Sequence, residues 1–272
     1  MKAVALFALA SAISCAALAH PAVGIVVDSR GNIFYSDLHH VWRIAPDGSK
    51  SIAVPNVHTH ELCLDGEDNL YGEHLWYEGE ATNRWGHRVW KRTPDGRVVN
   101  VIPPTEGFLQ NYSFVRDRAG NMYWVERATS EIRKRMTDGR IVTIARGKFR
   151  DARWMTVTPD GVVYMIDARD LLRTTNGRIT TVARHLSSRH LTRPFVGEHH
   201  LLMGLWTDGG GNVYIADYVA GEVKRVSPDG RVAVIARSSL PWSPTGGVFD
   251  RHGSLWLLEY SVTNAVRVRR VY

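Results

Sequence analysis

Lysine is scarce in this chain, cysteine is nearly absent, and no hydrophobic run beyond the N-terminus is long enough to cross a bilayer. Each shortage excludes something. Only six of the 34 basic residues are lysines, and most arginines recur one or two at a time at matching places of a repeat. The net charge of +7 therefore forms no basic block of the kind that tracks a phosphate backbone, and nucleic acid is not an expected partner. Two cysteines, Cys15 and Cys63, are too few for a disulfide framework. Internal apolar runs fall short of the ~18 residues that a membrane helix needs. Also missing are a Gly-rich phosphate loop opening a helix, a Gly-x-Ser-x-Gly elbow and a His-Glu-x-x-His helix, so nucleophilic serine catalysis has no support. What remains is a globular composition, 44% hydrophobic and 22% charged.

The N-terminus reads as an address. Lys2 supplies a positive start, Ala3 to Ala16 is small and apolar, and Ala17-Leu18-Ala19 places small residues where a signal peptidase requires them. Residues 1–19 are thus expected to be a secretory signal, with export of the protein to the periplasm or beyond and His20 as the new N-terminus. A rival reading makes Ser14-Cys15 a lipoprotein processing site, but Ala12 and Ile13 form a weak lipobox. Cleavage after Ala19 leaves Cys63 alone between Leu62 and Leu64, where a small thiol is expected in the core.

From residue 20 onward one pattern repeats. GIVVDSRGNIFYSD (24–37), ELCLDGEDNLYGEH (61–74), SFVRDRAGNMYWVE (113–126), WMTVTPDGVVYMID (154–167), GLWTDGGGNVYIAD (204–217) and GGVFDRHGSLWLLE (246–259) are each a strand, a tight turn and a second strand. A basic alternating strand and a Pro-Asp-Gly turn follow most of them, as in HVWRIAPDG (40–48), then a fourth strand such as RVAVIA (231–236). Period-2 alternation with Asp-Gly turns makes hairpins. Six units of about 42 residues each have the size of propeller blades. The expected fold is all-β: a six-bladed β-propeller over residues 20–272, of four-stranded antiparallel blades, the last with only three strands.

These motifs resemble the NHL-type six-bladed propellers, neighbours of the senescence-marker/gluconolactonase lactonases and the peptidyl-hydroxyglycine amidating lyases. The resemblance implies a function on the face where the B–C loops and the D–A connections open. By that rule eleven of the twelve histidines fall on or beside this face, and only His252 on the other. The resemblance also implies that the residues opening each inner strand, Val23, His60, Tyr112, Arg153, Met203 and Thr245, point to the axis. The lactonases hold calcium there on oxygen ligands, and this layer has no carboxylate. The lyases hold zinc on channel histidines with tyrosine and arginine assisting, a pattern that His60, Tyr112 and Arg153 partly match.

Imidazole suits zinc or copper rather than calcium. The candidate metal ligands are His58, His60, His74 and one of His199 or His200, with His20 as a separate copper chelator through its free amine. Glu73 or Tyr112 would move protons and Arg153 would bind an anionic substrate group. Trp76, Tyr77, Trp85 and Trp242, read as loop residues on the same face, would floor a ligand site. The closing carboxylates of the second strands, Asp37, Glu126, Asp167, Asp217 and Glu259, recur blade after blade and are read as structural, while His74 takes their place in blade two. Three functions follow: a metal-dependent hydrolase or lyase acting on a small polar molecule, a non-catalytic propeller binding a small ligand or a cell-envelope partner, and a copper protein built on His20. A monomer is expected, as no oligomerisation pattern is visible.

Overall fold

The computed structural model describes residues 21–107, 115–187 and 200–272. Within them the chain forms six antiparallel sheets, each a simple meander, arranged as the blades of a propeller. Blade one is β1 (Ile25–Val27), β2 (Ile33–Ser36), β3 (Val41–Ile44) and β4 (Lys50–Val54). Blade two is β5 (Leu62–Leu64), β6 (Leu70–Tyr77), β7 (Trp85–Arg92) and β8 (Val98–Glu106). Blade three is β9 (Val115–Arg116), β10 (Met122–Glu126), β11 (Glu131–Arg135) and β12 (Ile141–Arg146). Blade four is β13 (Ala152–Val157), β14 (Val163–Asp167), β15 (Asp170–Thr175) and β16 (Arg178–Ala183). Blade five is β17 (Leu202–Thr207), β18 (Val213–Asp217), β19 (Glu222–Val226) and β20 (Val232–Arg237). Blade six stops at three strands, β21 (Trp242–Phe249), β22 (Leu255–Ser261) and β23 (Val266–Arg270). No helix among the described residues is long and apolar enough to cross a membrane.

One device sets the first hairpin of most blades. The turn aspartate accepts the backbone N–H of the residue four places on, and in three blades it also takes the side-chain amide of an asparagine there and the hydroxyl of a tyrosine two residues further. Asp65 does so with Asn69 and Tyr71, Asp117 with Asn121 and Tyr123, and Asp208 with Asn212 and Tyr214, all between 2.8 and 3.0 Å. Asp28 holds Asn32 alone, and Asp250 holds the backbone of Ser254 and the indole of Trp256. Burial by itself would push these carboxyls up. At Asp65, Asp117, Asp208 and Asp250 the hydrogen bonds outweigh it and hold them below the usual carboxylate range.

The blades bury their faces against one another. The largest apolar cluster runs through blades four, five, six and one, from Trp154 and Ile166 through Ile215 and Leu257 to Ile25 and Tyr35. With no fourth strand in blade six, the ring closes by this packing and by a buried hydrogen bond in which the Tyr260 hydroxyl donates to the carbonyl of Ser36 at 3.0 Å. Blades six and one approach so closely that a Cβ on Gly246 would lie 2.1 Å from the Val23 carbonyl oxygen.

The inner strands of blades four to six depart from a regular ladder. Bulges fall between Ala152 and Met155, Leu202 and Leu205, and Pro244 and Gly246. A bulge inserts an extra residue and resets which side chains face which way. Arg153, Met203 and Thr245 lie in these bulges, so the expectation that aimed them at the axis does not carry over. Met203 and Thr245 are fully buried, and Gly204–Thr207 and Gly246–Val248 line the central cavity instead.

Candidate functional site

The six inner strands line a cavity of about 270 Å³ with apolar side chains and glycines, together with Thr156, Thr207 and the charged Glu61 and Arg116. Directly before Glu61, the connection from β4 to β5 carries His58, Thr59 and His60, and its backbone is fixed from several sides. Ser36 Oγ donates to the Thr59 carbonyl at 2.5 Å, and Thr59 Oγ1 donates to the Glu73 carbonyl at 2.5 Å. The indole of Trp90, fully buried, donates to that same Glu73 carbonyl at 3.1 Å. Gly72 makes room for it, since a Cβ there would lie 2.3 Å from the Trp90 ring. The His60 carbonyl accepts the N–H groups of Val23 and Gly24 at 2.9 and 2.8 Å, anchoring the segment to blade one.

On this frame β6 presents Glu73 to His60. Glu73 Oε1 accepts the His60 backbone N–H at 2.6 Å and lies 3.4 Å from His60 Nδ1. The His60 side chain is only 10% exposed. The His58 ring stands edge-on to it, centroids 4.7 Å apart. Burial first, then the neighbouring His60, pushes the His58 pKa down to about 4, so His58 is neutral at pH 7.

His74 has a different job. Its Nδ1 accepts the backbone N–H of His58 at 2.8 Å, which puts the proton of the neutral ring on Nε2. Burial and then Arg88 hold its pKa below the usual histidine value. The closing carboxylates of other blades do the same work: Asp167 accepts the N–H groups of Arg150 and Asp151, Asp217 the Ser187 hydroxyl, and Glu259 the Ser238 hydroxyl. His74 is the blade-two version of that clamp, with Nδ1 committed as the acceptor and the proton on Nε2 in the neutral form.

His58, His60, His74 and Glu73 therefore come together in blade two, while His200 sits two residues before β17 in blade five. Among the described residues, no group of three or more His, Cys, Asp and Glu side chains is arranged to hold a metal ion. Three candidates, His20, Tyr112 and His199, lie outside the described residues. Arg153 is committed to Asp151, its Nε 3.1 and 3.0 Å from the two carboxylate oxygens.

The aromatic candidates split. Trp76, Tyr77 and Trp85 are not in a loop: β6 and β7 extend to Tyr77 and Trp85, leaving only residues 78–84 as the turn. Tyr77 and Trp85 stack at 4.0 Å between centroids near the hairpin tip, and both are exposed. Trp76 lies across Gly86, where a Cβ would be 1.7 Å from its ring. Arg84 braces the tip against Glu78 and Glu106 at 3.1 and 3.0 Å. Trp242 begins β21 rather than standing in a loop, with the Arg267 guanidinium 4.3 Å from its ring centre.

The depressed His58 pKa has a consequence for stability. A group whose folded pKa lies below its unfolded value contributes stability that is complete above the unfolded value and is lost as pH falls toward the folded one. The chain is expected to lose on the order of 1–2 kcal/mol between pH 6.5 and about 4 through His58, after allowance for solvent screening. Protonation of the turn aspartates adds to the loss below that. Denaturant titrations across this range check it, and His58→Asn should flatten the upper part of the decline.

Fold and site together define a six-bladed β-propeller with a buttressed His–Glu pair beside its channel. No known family profile matches the chain, and no curated protein is similar to it in sequence. Its fold recurs among solved structures. A streptogramin B lyase is 12% identical over 92% of this chain and 93% of that one, with a TM-score of 0.60. A gluconolactonase from Xanthomonas campestris is 14% identical over 88% and 83%, TM-score 0.59. An auxiliary nutrient binding protein from Bacteroides thetaiotaomicron is 12% identical over 92% and 69%, TM-score 0.63. These likenesses establish the propeller, and they span catalysts and a binding protein alike.

Proposed function

We propose that the chain is an exported hydrolase or lyase that cleaves a small polar substrate beside a carbonyl group, with His60 as the general base at the channel mouth. The observation that carries this reading is the His60–Glu73 pair, held by backbone contacts from blades one and two. Imidazole is the side chain suited to taking and returning a proton near neutral pH. With Nδ1 toward Glu73, Nε2 is the nitrogen that would exchange a proton with substrate. It would take that proton from an attacking water, or from the carbon next to the carbonyl, and return it to the departing oxygen. Glu73 acts as a positioning residue that fixes the ring.

Two further points support the reading. A catalytically inactive histidine-to-alanine variant of virginiamycin B lyase from Staphylococcus aureus, 13% identical with a TM-score of 0.54, shows that a propeller of this fold can depend on one histidine. The exposed Tyr77–Trp85 stack supplies an aromatic surface on the extension that rises from the same blade. A transition metal is a further element of the proposal: His58 and His60 are close enough to share one, and zinc or copper would then need a ligand from beyond the described residues, such as His199 or His20. Its contribution would be to polarise the carbonyl or acidify a bound water.

The test uses the exported chain with its own N-terminus on a panel of small lactones and esters. Proton release reports hydrolysis, and a rise in ultraviolet absorbance reports a conjugated elimination product. Turnover that is lost in His60→Ala supports the proposal, and its loss on chelation adds the metal. Turnover that is indifferent to His60, or specific ligand binding without any turnover, would give way to a binding propeller.

A further inference from the structure

Between blades two and three, on the face opposite the histidines, a cleft of about 450 Å³ opens beside the A–B turns. The two turns are tied together where the Gly66 N–H donates to the Arg118 carbonyl at 2.9 Å. Four cationic side chains line this cleft: Lys91, Arg116, Arg118 and Arg135. Among the described residues none of the four forms an ion pair, although the 17 ion-pair contacts there use arginine, lysine or histidine in that way.

The two carboxylates in the lining, Asp65 and Glu67, offset them only in part, four cations against two carboxylates. Asp65 is occupied by Asn69 and Tyr71, and Glu67 is exposed and 3.3 Å from the Asn69 amide. Arg116 is the most confined of the cations. Its guanidinium lies over the Tyr71 ring at 4.4 Å, and its hydrogen bond is a long one, 3.4 Å to the Gly120 carbonyl. Desolvation presses most on its charged form; Cys63, Tyr71 and Asp65 oppose this, and Arg135 adds a like charge. A partly buried guanidinium near a second one, with no ion pair among the described residues, is a costly arrangement that a bound anion would relieve. The walls add Val101, Ile102 and Met136, so the cleft offers apolar surface next to its charges, as small-molecule sites do.

We propose that this cleft binds a small anion carrying two or more negative oxygens, a phosphate ester or a polycarboxylate, held by Arg116, Arg118, Arg135 and Lys91. The site is independent of His60 and would stand if the catalytic reading failed. Its volume suits a molecule of metabolite size, and the fork geometry of arginine matches both oxyanion classes.

Isothermal titration of the full chain with pyrophosphate and with citrate tests it at low salt. Saturable one-to-one binding with a Kd below ~1 mM is expected for at least one of them, and which one binds tells phosphate from carboxylate recognition. Arg118→Gln and Arg135→Gln, both at exposed positions, should each weaken it about tenfold or more. Arg30→Gln with Arg178→Gln, which together remove twice the charge of either single change from exposed positions outside the cleft, should leave it unchanged, as should His60→Ala. No saturable binding of either anion up to about 10 mM would overturn the proposal. So would equal weakening by the Arg30/Arg178 pair, which would mark a diffuse charge effect.

Discussion

His60→Ala is expected to lower turnover by roughly 10²–10⁴-fold, the usual contribution of a positioned general base. The fold should survive, because the backbone of His60 does the anchoring: its N–H is held by Glu73 and its carbonyl by Val23 and Gly24. Alanine keeps both groups. Glu73→Gln removes the negative charge facing Nδ1 but can still accept from the His60 N–H. It should cost less, about 10–100-fold, and it should shift the pH profile of kcat/KM as well as its height. A merely structural glutamate would lower activity without moving that profile. Tyr77→Ala, on the exposed extension, should act through KM if the stack contacts substrate.

The second large effect concerns how the ring is closed. Gly246→Ala puts a Cβ 2.1 Å from the Val23 carbonyl oxygen and 3.0 Å from its carbon, both backbone atoms. Neither can swing aside as a flexible side chain would, so blades six and one must move apart. Overpacking costs typically 1–3 kcal/mol where side chains can adjust, and a backbone clash at this seam should reach the top of that range. For a chain of this size about 3 kcal/mol lowers Tm by roughly 6–12 °C. Among the described residues no exchanged strand staples this seam, which leans on the shared apolar cluster and on the Tyr260 hydroxyl donating to Ser36. Gly209→Ala is the control, with nothing within 4 Å of its added carbon, and should stay near the wild-type Tm. Thermal unfolding of the two variants side by side makes the comparison.

The propeller was legible because its turns are chemically loud. The Asp-x-x-x-Asn-x-Tyr spacing puts three hydrogen bonds on one carboxylate, and the same physical need recurs in blade after blade. The three-stranded last blade was legible too, from the three strand-like segments that follow residue 242. The site was only partly so. His60 and Glu73 stood out, but the axial layer was placed at the same position in every inner strand, and the bulges at Arg153, Met203 and Thr245 shift that position without any sign in the sequence. The role of His74 was hidden for another reason. It stands where other blades have a carboxylate, and only the geometry shows that imidazole Nδ1 can accept the same kind of backbone hydrogen bond. Trp76 and Trp85 were misplaced because β6 and β7 run further than the apolar pattern suggested. Arg116 could have been found. The residues before the turns in the other blades are Val27, Leu64, Val157, Thr207 and Phe249, and one charged residue in that series marks an exception.

The account rests on His60 being held by Glu73 through Nδ1. Nitrogen-15 spectra of histidine-labelled protein, recorded on wild type, His60→Ala and Glu73→Gln across pH 5 to 8, test this directly. The account predicts, besides the Nδ1-protonated signal of His87 facing the Gly107 carbonyl, a second Nδ1-protonated signal that disappears in His60→Ala and moves in Glu73→Gln. A His60 signal that titrates identically with and without the Glu73 carboxylate would contradict it.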